Sequence, residues 1–190
     1  MIEFIVPTWK RPKQLMMMLS SLCSQTNQNW KAHVIIDGMT NDYFYVKNHF
    51  QFDPQIRFSH IEGPNNDWGH TARSYGLLQA KEEWVVMTGD DNYYTPNFVN
   101  EMLNTAIENG CEFVYCDMVH NNWGYKSVNS RLAHGYIDIG NCMMKKENTK
   151  DITLEKDYNA DWTFISEYCR KNKKHSKAIM KIDKILYIHN

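Results

Sequence analysis

The stretch from Ile2 to Asp37 limits the possible folds more than any other part of this chain. Ile2-Glu3-Phe4-Ile5-Val6 is an apolar strand ended by Pro7, and His33-Val34-Ile35-Ile36 is a second one ended by Asp37-Gly38. Between them Leu15, Met16, Leu19, Leu22 and Cys23 recur at helical spacing, so Lys13 to Ser24 is predicted to be an amphipathic helix. Strand, helix and strand this close together predict a right-handed βαβ unit with parallel strands.

The alternation continues. Asn41 to Phe50 suggests a second helix, Ile56 to Ile61 a third strand, and Glu62 to His70 a loop rich in Gly, Pro, Asn and Asp. Thr71 to Lys81 reads as a helix with Ala72, Tyr75, Leu78 and Gln79 turned inward. Val85 to Thr88 is a buried strand that runs into Gly89-Asp90-Asp91-Asn92, and a helix with Phe98, Met102 and Leu103 on one face follows Pro96. Beyond it come a strand from Glu112 to Val119, a polar aromatic loop from His120 to Ser130, and a strand from Ile137 to Lys145 bent at Gly140. A helix from Asp161, a basic solvated turn from Lys171 to Lys177 and a last strand from Lys181 to His189 complete the chain. The fold class is α/β: a mostly parallel, Rossmann-like sheet with helices on both faces and a mixed C-terminal part. Residues 1–190 are expected to be one domain, with about 1–95 a nucleotide-binding-like layer and about 96–190 the mixed half.

Composition excludes several classes. A net charge of −1 argues against electrostatic binding of nucleic acid. No apolar run can span a bilayer, and the first residues are too short for a signal peptide, so a soluble, cytoplasmic protein is expected, with peripheral membrane association left open. Five scattered cysteines without a Cys-x-x-Cys pair point to buried thiols in a reducing compartment. The Met16-Met17-Met18 run reads as core filling with one exposed member.

Ligands of parallel α/β sheets bind beyond the carboxyl ends of the strands, and here those ends carry Thr8, Asp37 and the Asp90-Asp91 turn. No glycine-rich phosphate loop follows the first strand, so nucleotide phosphates would need a metal ion. Asp and Asn oxygens suit Mg²⁺ or Mn²⁺. The bland alternative is a solvated turn that caps the following helix.

In order along nearly the whole chain, several landmarks resemble those of family-2-type GT-A glycosyltransferases. They are Val6-Pro7-Thr8-Trp9-Lys10-Arg11-Pro12, Ile35-Ile36-Asp37-Gly38, Gly69 to Gly76, Asp90-Asp91-Asn92 with Pro96, Gly140 to Lys145, Ala160-Asp161-Trp162 and Ile188-His189-Asn190. The resemblance implies a sugar transferase acting with a divalent metal (Mn²⁺ or Mg²⁺) on a nucleotide-diphosphate sugar, UDP-linked by expectation, and on a glycan, lipid-linked or protein acceptor. Pro7, Thr8, Trp9 and Arg11 would sit by base and ribose, Asp37 would accept from the base, and Arg73 would lie by nucleotide or phosphates. Asp91, with Asp90 or Asn92, would hold the metal, His189 would be a late metal or phosphate ligand, and Asp161 would be the base of an inverting reaction. Trp123, Asn141 and Trp162 are the acceptor-side candidates. Aligned on Pro96, Gly89 stands where the family commonly has its first Asp, which leaves Asp91 as the second. Ile36 and Ala160 likewise stand where an acid is usual. The same layout and carboxylates would also serve a nucleotidyltransferase, and the aromatics alone would serve a non-catalytic glycan- or nucleotide-binding module.

Overall fold

The computed structural model describes residues 1–172 and 179–190. Strand β1 (Ile2–Thr8), helix α1 (Pro12–Cys23), β2 (Trp30–Asp37), α2 (Phe44–Phe50) and β3 (Ile56–Ile61) form the parallel start. Helix α3 (His70–Gln79), β4 (Trp84–Met87), the short β5 (Tyr93–Tyr94) and α4 (Phe98–Asn109) follow. The second half contains β6 (Phe113–His120), β7 (Lys126–Val128), β8 (Cys142–Lys145), α5 (Ala160–Lys171) and β9 (Ile179–His189).

The strands make one sheet in the order β3-β2-β1-β4-β8-β6-β9-β5, with β7 paired to β6. β1 pairs in parallel with β2 on one side and β4 on the other, so the chain reverses direction across the sheet between β1 and β4. β8 enters antiparallel between β4 and β6, and β9 returns parallel to β6. This is the mixed C-terminal part.

Alternation within the strands sorts the core into two layers. Phe4, Val6, Val34, Ile36 and Val86 face α1, α2 and α4, where Leu15, Leu19, Val46, Phe98 and Met102 meet them. Ile5, Ile35, Val85 and Met87 face the other way, toward Ala72 of α3 and Phe164, Ile165 and Tyr168 of α5. Pro12 opens α1 where its missing N–H costs nothing, and Gly110 closes α4 at φ +60°. Met18 is fully buried and Met17 exposed, as core filling with an exposed member requires.

Several elements differ from the sequence-based expectation. In α3 Leu78 is 80% exposed, and Tyr75 and Gln79 also face outward. The buried residues are His70, Ala72, Arg73 and Gly76. The reason is close approach at the middle of the helix: a Cβ at Gly76 would stand 2.4 Å from Ile5 Cγ2 and 2.8 Å from Ile35 Cδ1, so the helix meets the sheet through Ala72 and Gly76. The predicted loop from His120 contains a 3-10 turn (Asn121–Trp123) and β7, which covers part of β6. The bend at Gly140 is a 3-10 turn (Ile139–Asn141), and β8 starts only after it. Cys23 is exposed while the other four thiols are buried, and no disulfide joins any of the five cysteines among the described residues. The predicted basic turn lies outside the described residues from position 173 onward.

A carboxylate buried behind the sheet shows how polar groups are tolerated in this core. Glu3 is 2% exposed and accepts from Arg57 Nη2 at 2.7 Å and from the backbone N–H groups of Lys81 and Glu82. Burial alone would raise its pKa, but these donors outweigh it and hold the group below its ordinary value. The close packing of α3 gives the first expected outcome. Gly76→Ala should cost about 1–3 kcal/mol of unfolding free energy through overpacking, despite the better helix propensity of alanine. An unchanged denaturation midpoint would mean that Ile5 and Ile35 yield freely.

Candidate active site

A cleft of about 560 Å³ opens over the carboxyl ends of β1, β2 and β4. Pro7, Thr8, Trp9, Arg11, Asp37, Arg73, Asp90, Asp91, Asn92, Asp161, Trp162 and His189 all line it. Residues up to 182 positions apart in sequence therefore meet there because three parallel strands end at one level and β9 brings the C-terminus back beside β5.

The acidic turn is the floor. At its start the Asp91 and Asn92 side chains close in on Gly89, where a Cβ would lie 2.9 Å from Asp91 Oδ1 and 3.0 Å from Asn92 Nδ2 and would displace them. Asp90 is 4% exposed, and its Oδ2 accepts from the Thr8 hydroxyl at 2.6 Å. The same Thr8 oxygen is 2.7 Å from the buried Tyr43 hydroxyl. Burial, together with the neighbouring Asp91 charge, pushes the Asp90 pKa up to about 6, against the lowering effects of Thr8 and Arg11. Asp91 is more open and carries the guanidinium of Arg11.

Asp37 forms another corner of the cleft. Its carboxylate accepts from Asn65 Nδ2 at 2.7 Å and from the Asn65 backbone N–H at 3.1–3.2 Å. Gly63 passes so close that a Cβ would lie 2.0 Å from Asp37 Oδ1, and only glycine fits. Arg73 reaches up from α3 and is 9% exposed, with its Nε donating to Thr88 O at 3.2 Å and its Nη1 to Trp68 O at 3.0 Å. It thereby ties the end of β4 to the loop before α3.

The opposite wall is built by the first turn of α5 and the C-terminal strand. Asp161 Oδ1 is buried with no hydrogen-bond partner among the described residues. Burial raises its pKa, and Asp138 adds to the rise, while Arg73 and His189 oppose it. His189 Nε2 lies 3.5 Å from Asp138 Oδ2, and its ring stacks on His120 at 4.0 Å. Burial and the facing His189 lower the His120 pKa, against Asp138 and Asn121. His120, Asp138 and His189 form a group whose ligand atoms lie within 4.8 Å of one another.

Two acceptor-side candidates fall elsewhere. Asn141 is fully buried, and its Nδ2 donates to Cys116 O at 2.6 Å and Ser130 Oγ at 3.0 Å. Its Oδ1 accepts from the Asp138 backbone N–H at 3.2 Å, so it holds Asp138 in place and cannot touch an acceptor. Trp123 packs against Tyr136 at 5.5 Å and is not among the lining residues. Trp162 does line the cleft.

The structure adds residues that sequence reasoning missed as site members. Asp138 sat inside an expected strand and gave no signal. Trp68 and His70, at the end of the loop expected from Glu62 to His70, line the cleft with Tyr158, and Trp68 and Tyr158 meet edge to face at 6.4 Å. Their loops are joined by His70 Nε2 to Asp157 O at 3.1 Å and by the Lys156–Asp67 pair at 3.8 Å. Trp68 and Tyr158 are 63% and 75% exposed, which leaves their faces available to a flat apolar surface such as a pyranose ring.

The donor set of the acidic turn suits a divalent metal. Hard carboxylate oxygens converge at the acidic turn, and a guanidinium already lodges on both of them, so the turn attracts a cation. No helix among the described residues is long and apolar enough to cross a membrane.

Comparison with known proteins agrees with this layout. An uncharacterized glycosyltransferase of Haemophilus influenzae is 25% identical over 130 residues, which cover 66% of this chain and 42% of that protein. The chain thus spans less than half the length of this relative. S. aureus TarS 1–349, solved in complex with UDP-GlcNAc, matches with a TM-score of 0.74 at 18% identity, over 98% of this chain and 57% of that one. A mannosyltransferase from Pyrobaculum calidifontis, in complex with GDP-Man and Mn²⁺, matches with a TM-score of 0.71 at 13% identity, over 99% and 56%. At such identities the likeness is one of fold, the GT-A glycosyltransferase fold. Residues 3–179 match the family described as glycosyl transferase family 2, nearly the whole chain, and the protein belongs to that family.

Proposed function

We propose that this chain transfers a sugar from a nucleoside-diphosphate sugar to an acceptor hydroxyl, with inversion and with the help of a divalent metal. One observation carries the reading: an unpartnered, buried carboxyl oxygen of Asp161 shares one cleft with the Asp90-Asp91 turn. A base without a competing donor on one side and an acidic cation site on the other are what an in-line displacement at an anomeric carbon needs.

Asp37 and Asn65 would recognise the base, with the carboxylate accepting a ring N–H such as uracil N3–H. Thr8 and Trp9 would bound the ribose, and Arg73 would face the phosphates. Asp91 and Asp90 would hold the metal, with Asn92 and His189 close by. When bound, that metal neutralises the negative charge that develops on the leaving diphosphate. Asp161 takes the proton of the acceptor hydroxyl as its oxygen forms the new bond to the anomeric carbon. The bond from that carbon to the diphosphate oxygen breaks on the opposite face, and the electron pair leaves with the diphosphate. The exposed Trp68 and Tyr158 faces and Trp162 suit an acceptor hydroxyl carried on a sugar ring. A nucleotidyltransferase would need a glycine-rich triphosphate loop after β1, and Trp9-Lys10-Arg11-Pro12 contains no glycine.

Asp161→Asn should lower transfer by about 10²–10⁴-fold while donor affinity changes little, because basicity is lost and volume is kept. Full transfer by that variant would rule out the base assignment. The raised Asp161 pKa also sets a pH dependence, since only the ionised carboxylate accepts the proton. The kcat/KM profile should therefore fall on the acid side at a pH above the ordinary carboxylate range, and the limb should vanish in Asp161→Asn. A flat profile through that range in the parent protein would contradict the assignment. For Asp91→Ala, calorimetry should show loss of the Mn²⁺-dependent part of UDP binding; unchanged affinity with Mn²⁺ present would remove Asp91 from the metal site.

A further inference from the structure

The acidic turn does not wait for its cation in isolation. Arg11 Nη1 lies 3.5 Å from Asp90 Oδ1 and makes a direct ion pair with Asp91 Oδ2. Its backbone is fixed from the other side, because the Arg11 N–H donates to Tyr43 Oη at 3.2 Å. Tyr43 Oη is 2.7 Å from Thr8 Oγ1, and Thr8 donates to Asp90 Oδ2 at 2.6 Å. Arg11, Tyr43, Thr8 and Asp90 thus form a closed ring of contacts in which one link alone, the guanidinium, reaches solvent. The Arg11 side chain is 53% exposed, against 6% for Asp90 and 23% for Asp91. The carboxylates are the fixed partners and the guanidinium the movable one. It can swing away while its backbone anchor on Tyr43 stays.

A divalent ion bound to Asp91 Oδ2 needs the oxygen that Arg11 occupies, so ion and guanidinium compete for it. A displaced guanidinium on Arg11, the last residue of the loop between β1 and α1, remains in the cleft, where the phosphates of a nucleotide are its natural next partner. We infer that Arg11 is an exchangeable counter-cation of the Asp90-Asp91 turn: it neutralises the turn in the donor-free protein, yields it to the metal, and moves onto the donor diphosphate that arrives with that metal. The inference rests on the metal-and-donor reading above and adds a consequence to it. Metal alone binds weakly because it must evict Arg11, and nucleotide strengthens metal binding by giving Arg11 a new partner; by linkage the metal strengthens nucleotide binding by the same factor.

The test measures Mn²⁺ binding directly, from the EPR signal of the free ion. The full chain, Arg11→Gln and Arg11→Lys are titrated at one neutral pH with and without UDP, and each variant's fold is checked by its melting curve. Without UDP, Arg11→Gln should bind Mn²⁺ about three- to tenfold more tightly than the parent chain. The strengthening produced by UDP should shrink in that variant by a similar factor. Arg11→Lys keeps the charge and should stay near the parent without UDP, while losing part of the UDP effect with the guanidinium fork. Equal or weaker Mn²⁺ binding by Arg11→Gln, alongside intact Mn²⁺-dependent UDP binding in the parent, overturns the counter-cation role and leaves the proposed function standing. Failure of every protein to bind Mn²⁺ even with UDP overturns both.

Discussion

A carboxyl group buried at the end of a central strand, with a second carboxyl next to it, sets the terms for this site. Asp90 is 4% exposed beside Asp91, and burial with that neighbour drives its pKa to about 6. Left uncompensated, two such charges repel and lose hydration, which is costly in a protein interior. The surrounding residues answer that cost in layers. Thr8 from β1 donates to Asp90, Tyr43 from the segment before α2 steadies Thr8, and Arg11 supplies the positive charge. Gly89 leaves room for the Asp91 and Asn92 side chains, which fold back to within 3.0 Å of where its Cβ would be. The parallel βαβ start matters because it brings the carboxyl end of β1 level with that of β4.

The second wall depends on the first through the chain's end. β9 pairs with β5, the two-residue strand just after the acidic turn, and the Asn190 backbone N–H donates to Asn92 Oδ1 at 3.3 Å. That pairing carries His189 into the cleft and sets it against Asp138, whose position is fixed by Tyr187 Oη at 2.8 Å and by the Asn141 side chain. Burial is the largest influence on the proton of Asp161 and raises its pKa; Asp138 adds to the rise, and Arg73 and His189 oppose it. A base that holds its proton slightly too well at acid pH and has an oxygen free of donors is suited to take a proton from a hydroxyl.

Much of this was legible in the sequence where local pattern and chemistry coincide. β3 and the ends of β1, β2 and β4 follow from apolar runs that stop at Thr8, Asp37 and the acidic turn, and α4 follows from Phe98, Met102 and Leu103 on one face. Reading failed where tertiary contact overrides periodicity. α3 turns its small and basic face inward because Gly76 packs onto Ile5 and Ile35 and because Arg73 finds carbonyl partners, so Leu78 is left outside. Asn141 looked like a polar residue free to meet an acceptor, yet its amide is consumed by Cys116, Ser130 and Asp138. Asp138, His120 and Tyr158 enter the cleft through β-pairing and loop-to-loop contacts of long sequence separation, which no local pattern encodes.

Two groups could attract a cation here, and their geometry separates them. A metal bonds an imidazole nitrogen along its lone pair, close to the plane of the ring. The rings of His120 and His189 are stacked 4.0 Å apart at an interplanar angle of 6°, so no point near both planes is within bonding distance of both rings. In this arrangement at most one of the two histidines can bind an ion, and His120 Nδ1 already accepts from the Asn122 N–H at 3.1 Å. Stacking therefore turns the pair into a wall that orients His189, with its Nε2 3.5 Å from Asp138 Oδ2. The acidic turn has the opposite character: unstacked, hard oxygen donors that already share one cation and face the same space as Arg73. Hard oxygen sites bind Mg²⁺ or Mn²⁺ through few protein ligands and leave positions for phosphate oxygens. On that physical ground the proposed metal is assigned to Asp90 and Asp91, where His189 would be a single neighbouring nitrogen.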